Sequence, residues 1–173
     1  MIILILALVV LAALLGAYKV VKDQNPVEDT TPQKLVTAET DDLYKYAFSY
    51  DGEMYSFTLS LDEGWYYDAD DSFDVNSSAM AALPSNLWET TISRTLEDVD
   101  EASLEEYGLK EPLAEIQITL RDETVISYHV GNQNASTKDL YVYVDDDPTT
   151  VYLVSSEIAS ACNKSLDSLA DQD

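Results

Sequence analysis

The chain has 173 residues, 46% of them apolar, which suffices for a folded core and excludes global disorder. It carries 33 acidic against 9 basic residues, a net charge of −24. Lys19 and Lys22 precede every acid, so beyond residue 22 seven basic residues face 33 acidic ones, a surface that repels phosphate backbones and anionic lipid and excludes nucleic acid as a partner.

Residues 2–18, IILILALVVLAALLGAY, hold no charge, and Val20 and Val21 extend the run past Lys19. That length spans a bilayer, so a transmembrane anchor is expected over residues 1–22. A cleaved signal peptide fits less well, because a basic leader is missing and Leu15-Gly16-Ala17 is a poor cleavage site. Lys19 and Lys22 by themselves would hold the following chain on the cytoplasmic side, and basic residues upstream of Met1 would reverse that balance. Residues 23–42 are polar, contain Pro26 and Pro32, and have no apolar period, so they read as a flexible stalk. One α+β domain is expected over residues 43–173: antiparallel sheets and hairpins with a few short helices on one side.

Residues 43–50, LYKYAFSY, and 53–61, EMYSFTLSL, have strand character, and Asp51-Gly52 between them is a hairpin turn signal. In the second strand Tyr55, Phe57, Leu59 and Leu61 alternate with Met54, Ser56, Thr58 and Ser60. Asp62-Glu63-Gly64 predicts a turn, and Trp65-Tyr66-Tyr67 a third extended piece. Met80, Leu83 and Leu87 fall on one face of a helix beginning near residue 75, which Pro84 is expected to end or kink. Residues 88–96, WETTISRTL, read as a strand. Ser103 and Glu106 have capping-box spacing, and Gly108 is a helix stop. Residues 113–120, then TVISYHV, DLYVYVD and TTVYLV, predict a four-strand meander, with loops at Gly131–Asn134 and Asp146-Asp147-Pro148. The tail from Ser155 or Ser156 to Ala170 predicts one amphipathic helix.

Asp68, Asp70, Asp71 and Asp74 crowd into seven positions. An EF-hand loop from Asp68 would need glycine and a closing acid where Phe73 and Ala79 stand, so that reading fails. Asp68, Asp70 and Asp71 stay as a candidate for a looser calcium site. The competing reading is a solvated strand end with Ser72 or Asp74 capping the next helix. The Asp145–Pro148 cluster reads as a solvated turn. One cysteine, Cys162, and one histidine, His129, exclude an intrachain disulfide and a Cys/His zinc site. His129 alternates with Tyr128 and Val130 in a strand, a poor setting for a catalytic triad. Phosphate-loop and dinucleotide motifs are lacking, and no catalytic residue is assigned.

Trp65, then Tyr107-Gly108-Leu109 with Pro112, His129-Val130-Gly131, Tyr141-Val142-Tyr143 and Val151-Tyr152-Leu153-Val154 occur in the order of a known family. The chain resembles domain of unknown function 4340 over roughly residues 43–170, although the family has a longer regular helix after the tryptophan. The resemblance implies a bacterial protein with an N-terminal anchor and its domain outside the cytoplasmic membrane. It also implies proximity to ABC-type export components, and it carries no catalytic residue. Trp65, Tyr107, Gly108, Leu109, Pro112 and Gly131 are expected to be structural. The function expected is a non-enzymatic interaction or accessory module, held at the membrane and associated with an ABC-type transport system. The alternative is a cation- or glycan-binding surface built on the acidic loops and the 12 tyrosines.

Overall fold

The computed structural model describes residues 32–171. The expected anchor over residues 1–22, and residues 23–31 of the expected stalk, lie outside them. Among the described residues no helix is long and apolar enough to cross a membrane.

Among the described residues, nine strands form one antiparallel sheet. They are β1 (Gln33–Lys34), β2 (Leu43–Tyr50), β3 (Glu53–Ser60), β4 (Gly64–Tyr67), β5 (Thr91–Leu96), β6 (Ala114–Leu120), β7 (Val125–Gln133), β8 (Leu140–Val144) and β9 (Asp147–Val154). Their spatial order is β1-β5-β9-β8-β7-β6-β2-β3-β4. The helices are α1 (Ser77–Glu89), α2 (Glu101–Glu106) and α3 (Glu157–Cys162), with 3₁₀ turns at Thr40–Asp42 and Leu166–Leu169. The α+β reading therefore holds, with the sheet dominant.

Alternation divides the two faces. Tyr46 and Phe48 of β2, Phe57 of β3, Ile116 and Ile118 of β6, Tyr128 and Val130 of β7, and Val142 of β8 all point to one face and are buried. Met80, Leu83 and Leu87 of α1, Ile158 and Ala161 of α3, and Leu169 join them in one continuous core. Tyr46 donates its buried hydroxyl to the Ala161 carbonyl at 2.9 Å, so the one polar atom of that ring is satisfied and fastens α3 to the sheet. Asp51 and Gly52, at φ 52° and 81°, make the expected tight hairpin, with Tyr50 opposite Glu53. That pairing sets the register of every cross-strand contact between β2 and β3.

Several expectations are corrected. The polar stalk does not run to residue 42. Gln33 and Lys34 pair with Ile92 and Thr91, and Leu35 and Val36 are buried, because two adjacent apolar residues are enough to seat this segment on the core. Leu61 lies beyond the last β3 residue and is 81% exposed in the turn. Helix α1 continues through Pro84 for 13 residues. Pro84 has no N–H for the Met80 carbonyl, but it is buried beside Leu83 and Leu87, and that packing offsets the lost bond. The same helix takes in Trp88 and Glu89, so β5 starts only at Thr91. Its cap is Asn76, whose side chain accepts from the Ala79 N–H at 2.9 Å, rather than Ser72 or Asp74. In α2 the cap is Asp100, accepting from the Ser103 N–H at 2.8 Å, so Ser103 lies inside the helix and its box spacing is idle. Strand β7 runs on through Gly131 to Gln133, and the β8–β9 turn is Asp145-Asp146, with Asp147 and Pro148 already in β9. The C-terminal helix breaks at Asn163 into α3 and a 3₁₀ turn, which lets Leu169 reach the core.

Candidate functional site

Asp68, Asp70 and Asp71 do not converge on a common point. Among the described residues no group of three histidine, cysteine or acidic side chains could hold a metal ion. Asp68 lies past the end of β4 and turns onto the polar face of the sheet. It accepts from Ser56 Oγ and Thr58 Oγ1, each at 2.6 Å, and from Lys45 Nζ at 2.9 Å. Lys45 and Thr58 are cross-strand partners in the β2–β3 hairpin, so the turn at Asp51-Gly52 brings the donors together. Asp70 turns back locally, accepting from the Ser72 N–H at 2.9 Å and Ser72 Oγ at 2.6 Å. The loop after it is stitched to the chain's end: Asn76 N–H donates to the Leu169 carbonyl at 2.8 Å, and Asp171 N–H to the Asp74 carbonyl at 2.9 Å. The aspartates thus close a strand end and a loop. In thermal melts, millimolar calcium is expected to raise Tm no more than magnesium at equal ionic strength. A calcium-specific rise that disappears in Asp68→Asn plus Asp70→Asn would restore the metal reading.

The Asp68 network sets a pH dependence. Burial works against its charge, but the hydrogen bonds from Ser56, Thr58 and Lys45 outweigh it and hold the carboxyl below the usual aspartate range. The folded value is depressed, so the stability it supplies is fully present above the unfolded value of about 3.9 and is lost as pH falls through the folded value. Asp68→Asn is expected to cost about 1 kcal/mol at pH 7, a small figure because the Lys45 pair is partly solvated. Denaturation curves of the two proteins should converge as the pH drops toward the folded value; a gap that stays constant with pH would contradict this.

Tyr107, Gly108, Leu109, Pro112 and Gly131 meet on the opposite face of the sheet from α1 and α3, where Tyr107 stacks on Tyr141, the neighbour of the core-facing Val142, so the helices do not all lie on one side. Gly108 has φ +68° and ends α2 with paired bonds: its own N–H to the Glu105 carbonyl at 3.1 Å and Leu109 N–H to the Leu104 carbonyl at 2.8 Å. Leu109, now buried, lies against Gly131 of β7. A Cβ on Gly131 would strike the Tyr107 carbonyl oxygen and would stand 2.8 Å from Leu109 Cδ2. Asn132 N–H donates to that carbonyl at 2.7 Å. Tyr107 stacks on Tyr141 of β8 with ring centres 4.2 Å apart. Pro112 precedes Leu113, whose N–H donates to the Val130 carbonyl at 2.8 Å and opens the β6–β7 pairing. Tyr107, Gly108, Leu109, Pro112 and Gly131 therefore form one joint between α2 and β6–β8. Trp65 stands apart, four strand spacings away on β4, or about 19 Å.

An open cleft of about 480 Å³ lies beside the joint, lined by Tyr107, Tyr141, Asn132, Gln133 and Asn134. Its amides already serve the fold. Asn132 Nδ2 donates to the Glu106 carbonyl at 3.2 Å, Gln133 Nε2 to the Lys138 carbonyl at 2.9 Å, and Asn134 Nδ2 to the Tyr141 hydroxyl at 2.7 Å. His129 stacks on Tyr143 with ring centres 4.3 Å apart, and Glu115 is its cross-strand partner. Cys162 is buried, and burial pushes its thiol up to about 11, far from a reactive thiolate.

Sequence reasoning did not find Asn132 or the Lys45–Asp68 network. The signal for the second was present: a hairpin closed at Asp51-Gly52 forces Lys45 opposite Thr58. Asn132 carried none, because its role depends on how closely two glycines let α2 approach β7.

Among the described residues, a nine-stranded antiparallel sheet, cored on one face and joined to a short helix by glycines on the other, defines a sheet-rich α+β class. The chain belongs to the family described as Domain of unknown function (DUF4340), whose pattern matches residues 65–173. The match starts at Trp65, so β1, β2 and β3 fall outside it. No curated protein and no solved structure matches the chain.

Proposed function

We propose that the chain is a membrane-anchored, non-enzymatic interaction module whose domain stands outside the cytoplasmic membrane, accessory to an ABC-type transport system. The observation that carries this reading is the use made of the family's own signature. Tyr107, Gly108, Leu109 and Gly131 hold α2 against β7–β8 by backbone contact, ring stacking and close packing. A family marked by such residues is marked by a shape that it presents to something else. The uncharged run over residues 2–18 supports the anchor. Affinity purification of the tagged full chain from crosslinked membranes tests the reading, with transporter subunits expected at stoichiometric yield. Recovery of no protein above background would overturn it, and protease resistance of the domain on intact cells would overturn its orientation.

A glycan-binding surface is the second reading, favoured by one observation. Tyr44 and Tyr66 are 39% and 41% exposed and flank Lys45 on the hydroxyl-rich face of the sheet. Titration with oligosaccharides, followed by tyrosine chemical shifts, separates it from the first.

A further inference from the structure

Both tryptophans of the chain line one groove, from different elements. Trp65 comes from β4 and Trp88 from the last turn of α1, and Leu43, Leu59, Ala81 and Pro84 complete its apolar walls. The groove holds about 300 Å³, the volume of one or two large side chains. Its walls are preorganised. Trp88 Nε1 donates to the Ala38 carbonyl at 2.8 Å, which holds that ring in place and removes its one polar demand. Trp65 lies across from Leu59 in the β3–β4 pair. Pro84 presents a wall with no N–H to satisfy.

Glu89 lines the groove, and four further acids adjoin its lining residues in the chain. Asp41 and Asp42 follow the lining residue Thr40, Asp62 and Glu63 lead into Trp65, and Glu89 follows Trp88. All five are exposed, and two cations stand among them: Lys34, paired with Glu89 at 2.9 Å, and Arg121, whose Nε donates to the Asp41 carbonyl at 3.2 Å, which leaves the acids in excess among the described residues. An apolar floor with an acidic border selects an apolar anchor carried among cations. A second copy of this chain would bring the same acidic border to the contact, and an anionic bilayer would be repelled.

We infer that the groove between α1 and the β3–β4 edge docks a basic segment of a partner protein, which inserts an apolar side chain between Trp65 and Trp88. The inference rests on the interaction-module reading and adds the place and the chemistry of contact. Tryptophans at the centre of a desolvated pocket are the residues that dominate such interfaces.

The test uses the full chain in neutral detergent and a 12-residue peptide of alternating lysine and leucine, with a glutamate-leucine peptide as control. Tryptophan emission reports Trp65 and Trp88 directly, since neither peptide contains the residue. The lysine peptide is expected to shift the emission saturably, with affinity falling at least tenfold between 50 and 300 mM salt, while the glutamate peptide leaves it unchanged. Trp65→Ala should weaken binding about tenfold. Because that variant could also loosen β4, the exposed pair Asp62→Lys plus Glu63→Lys is measured alongside, with a similar loss expected and the Tm unchanged. Equal binding of the two peptides, or lysine-peptide binding untouched by the charge reversals, would overturn the inference. So would an equal emission shift on anionic vesicles, which would make the groove a lipid contact. In the membrane purification, a partner retained by the charge-reversed chain defeats the groove alone; absence of any partner defeats the module reading beneath it.

Discussion

Gly131→Ala is expected to destabilise the chain by about 3 kcal/mol, a large share of the 5–15 kcal/mol that holds a domain folded. The added methyl meets the Tyr107 backbone carbonyl and the Leu109 side chain together. A flexible side chain could swing away, but the carbonyl cannot, because it ends α2 and accepts the Asn132 N–H. The joint has to open, and the Tyr107–Tyr141 stack with it. Two comparisons isolate the cause. A Cβ on Gly52 would meet nothing within 4 Å, so Gly52→Ala carries only the strain of its positive φ, about 1 kcal/mol. Gly108→Ala adds both strain and a Cβ at 2.6 Å from Asn132 Cγ, and Asn132→Ala in the same chain should recover the steric part only. Chemical denaturation of the four proteins gives the ranking; Gly131→Ala no worse than Gly52→Ala would show that α2 is free to move off the sheet.

Phe48→Ala is expected to cost about 4 kcal/mol and to leave the chain marginally folded. Phe48 is fully buried on the sheet's inner face, on β2 between β3 and β6. Its ring stacks on Phe57 at 6.3 Å, meets Tyr55 edge-on at 5.8 Å, and tilts against Tyr46 at 6.3 Å. These neighbours sit on paired strands whose register is fixed by the hairpin, so they cannot close over the void. Phe48→Leu keeps most of the volume and should lose roughly half as much. Near-ultraviolet circular dichroism would follow the loss of the aromatic cluster, and a Tm drop of only a few degrees for the alanine variant would contradict the rigid core described above.

Strands were legible wherever alternation met an unambiguous turn. Leu43–Tyr50, Asp51-Gly52 and Ala114–Leu120 follow from local pattern, because one face is buried and one is not. The departures share a cause: tertiary packing overrode a local rule. Pro84 should have ended a helix, but the core beneath α1 keeps it going. Gly131 should have opened a loop, but its missing side chain is what lets β7 pass under Leu109. Leu35 and Val36 looked like isolated apolar residues in a stalk and are the place where the domain begins. For the candidate sites, the acidic stretch was readable as a strand end, but its aspartates bond to the hairpin and to Ser72, and the helix cap is Asn76. The groove was hidden because Trp65 and Trp88 belong to different elements, and no spacing in the sequence brings them together.

The strand order has a consequence for how the chain acquires its structure. Strands β6 to β9 are consecutive neighbours and can zip up locally. By contrast β2 must find β6 across roughly 70 residues and β5 must find β9 across roughly 60, closures that slow a folding reaction. The β2–β3–β4 hairpins are made first during synthesis yet cannot bury Tyr46, Phe48 and Phe57 until β6 and α3 exist. The β2–β4 segment is therefore expected to wait, half-exposed, for strands made much later, while the β6–β9 meander closes on local contacts.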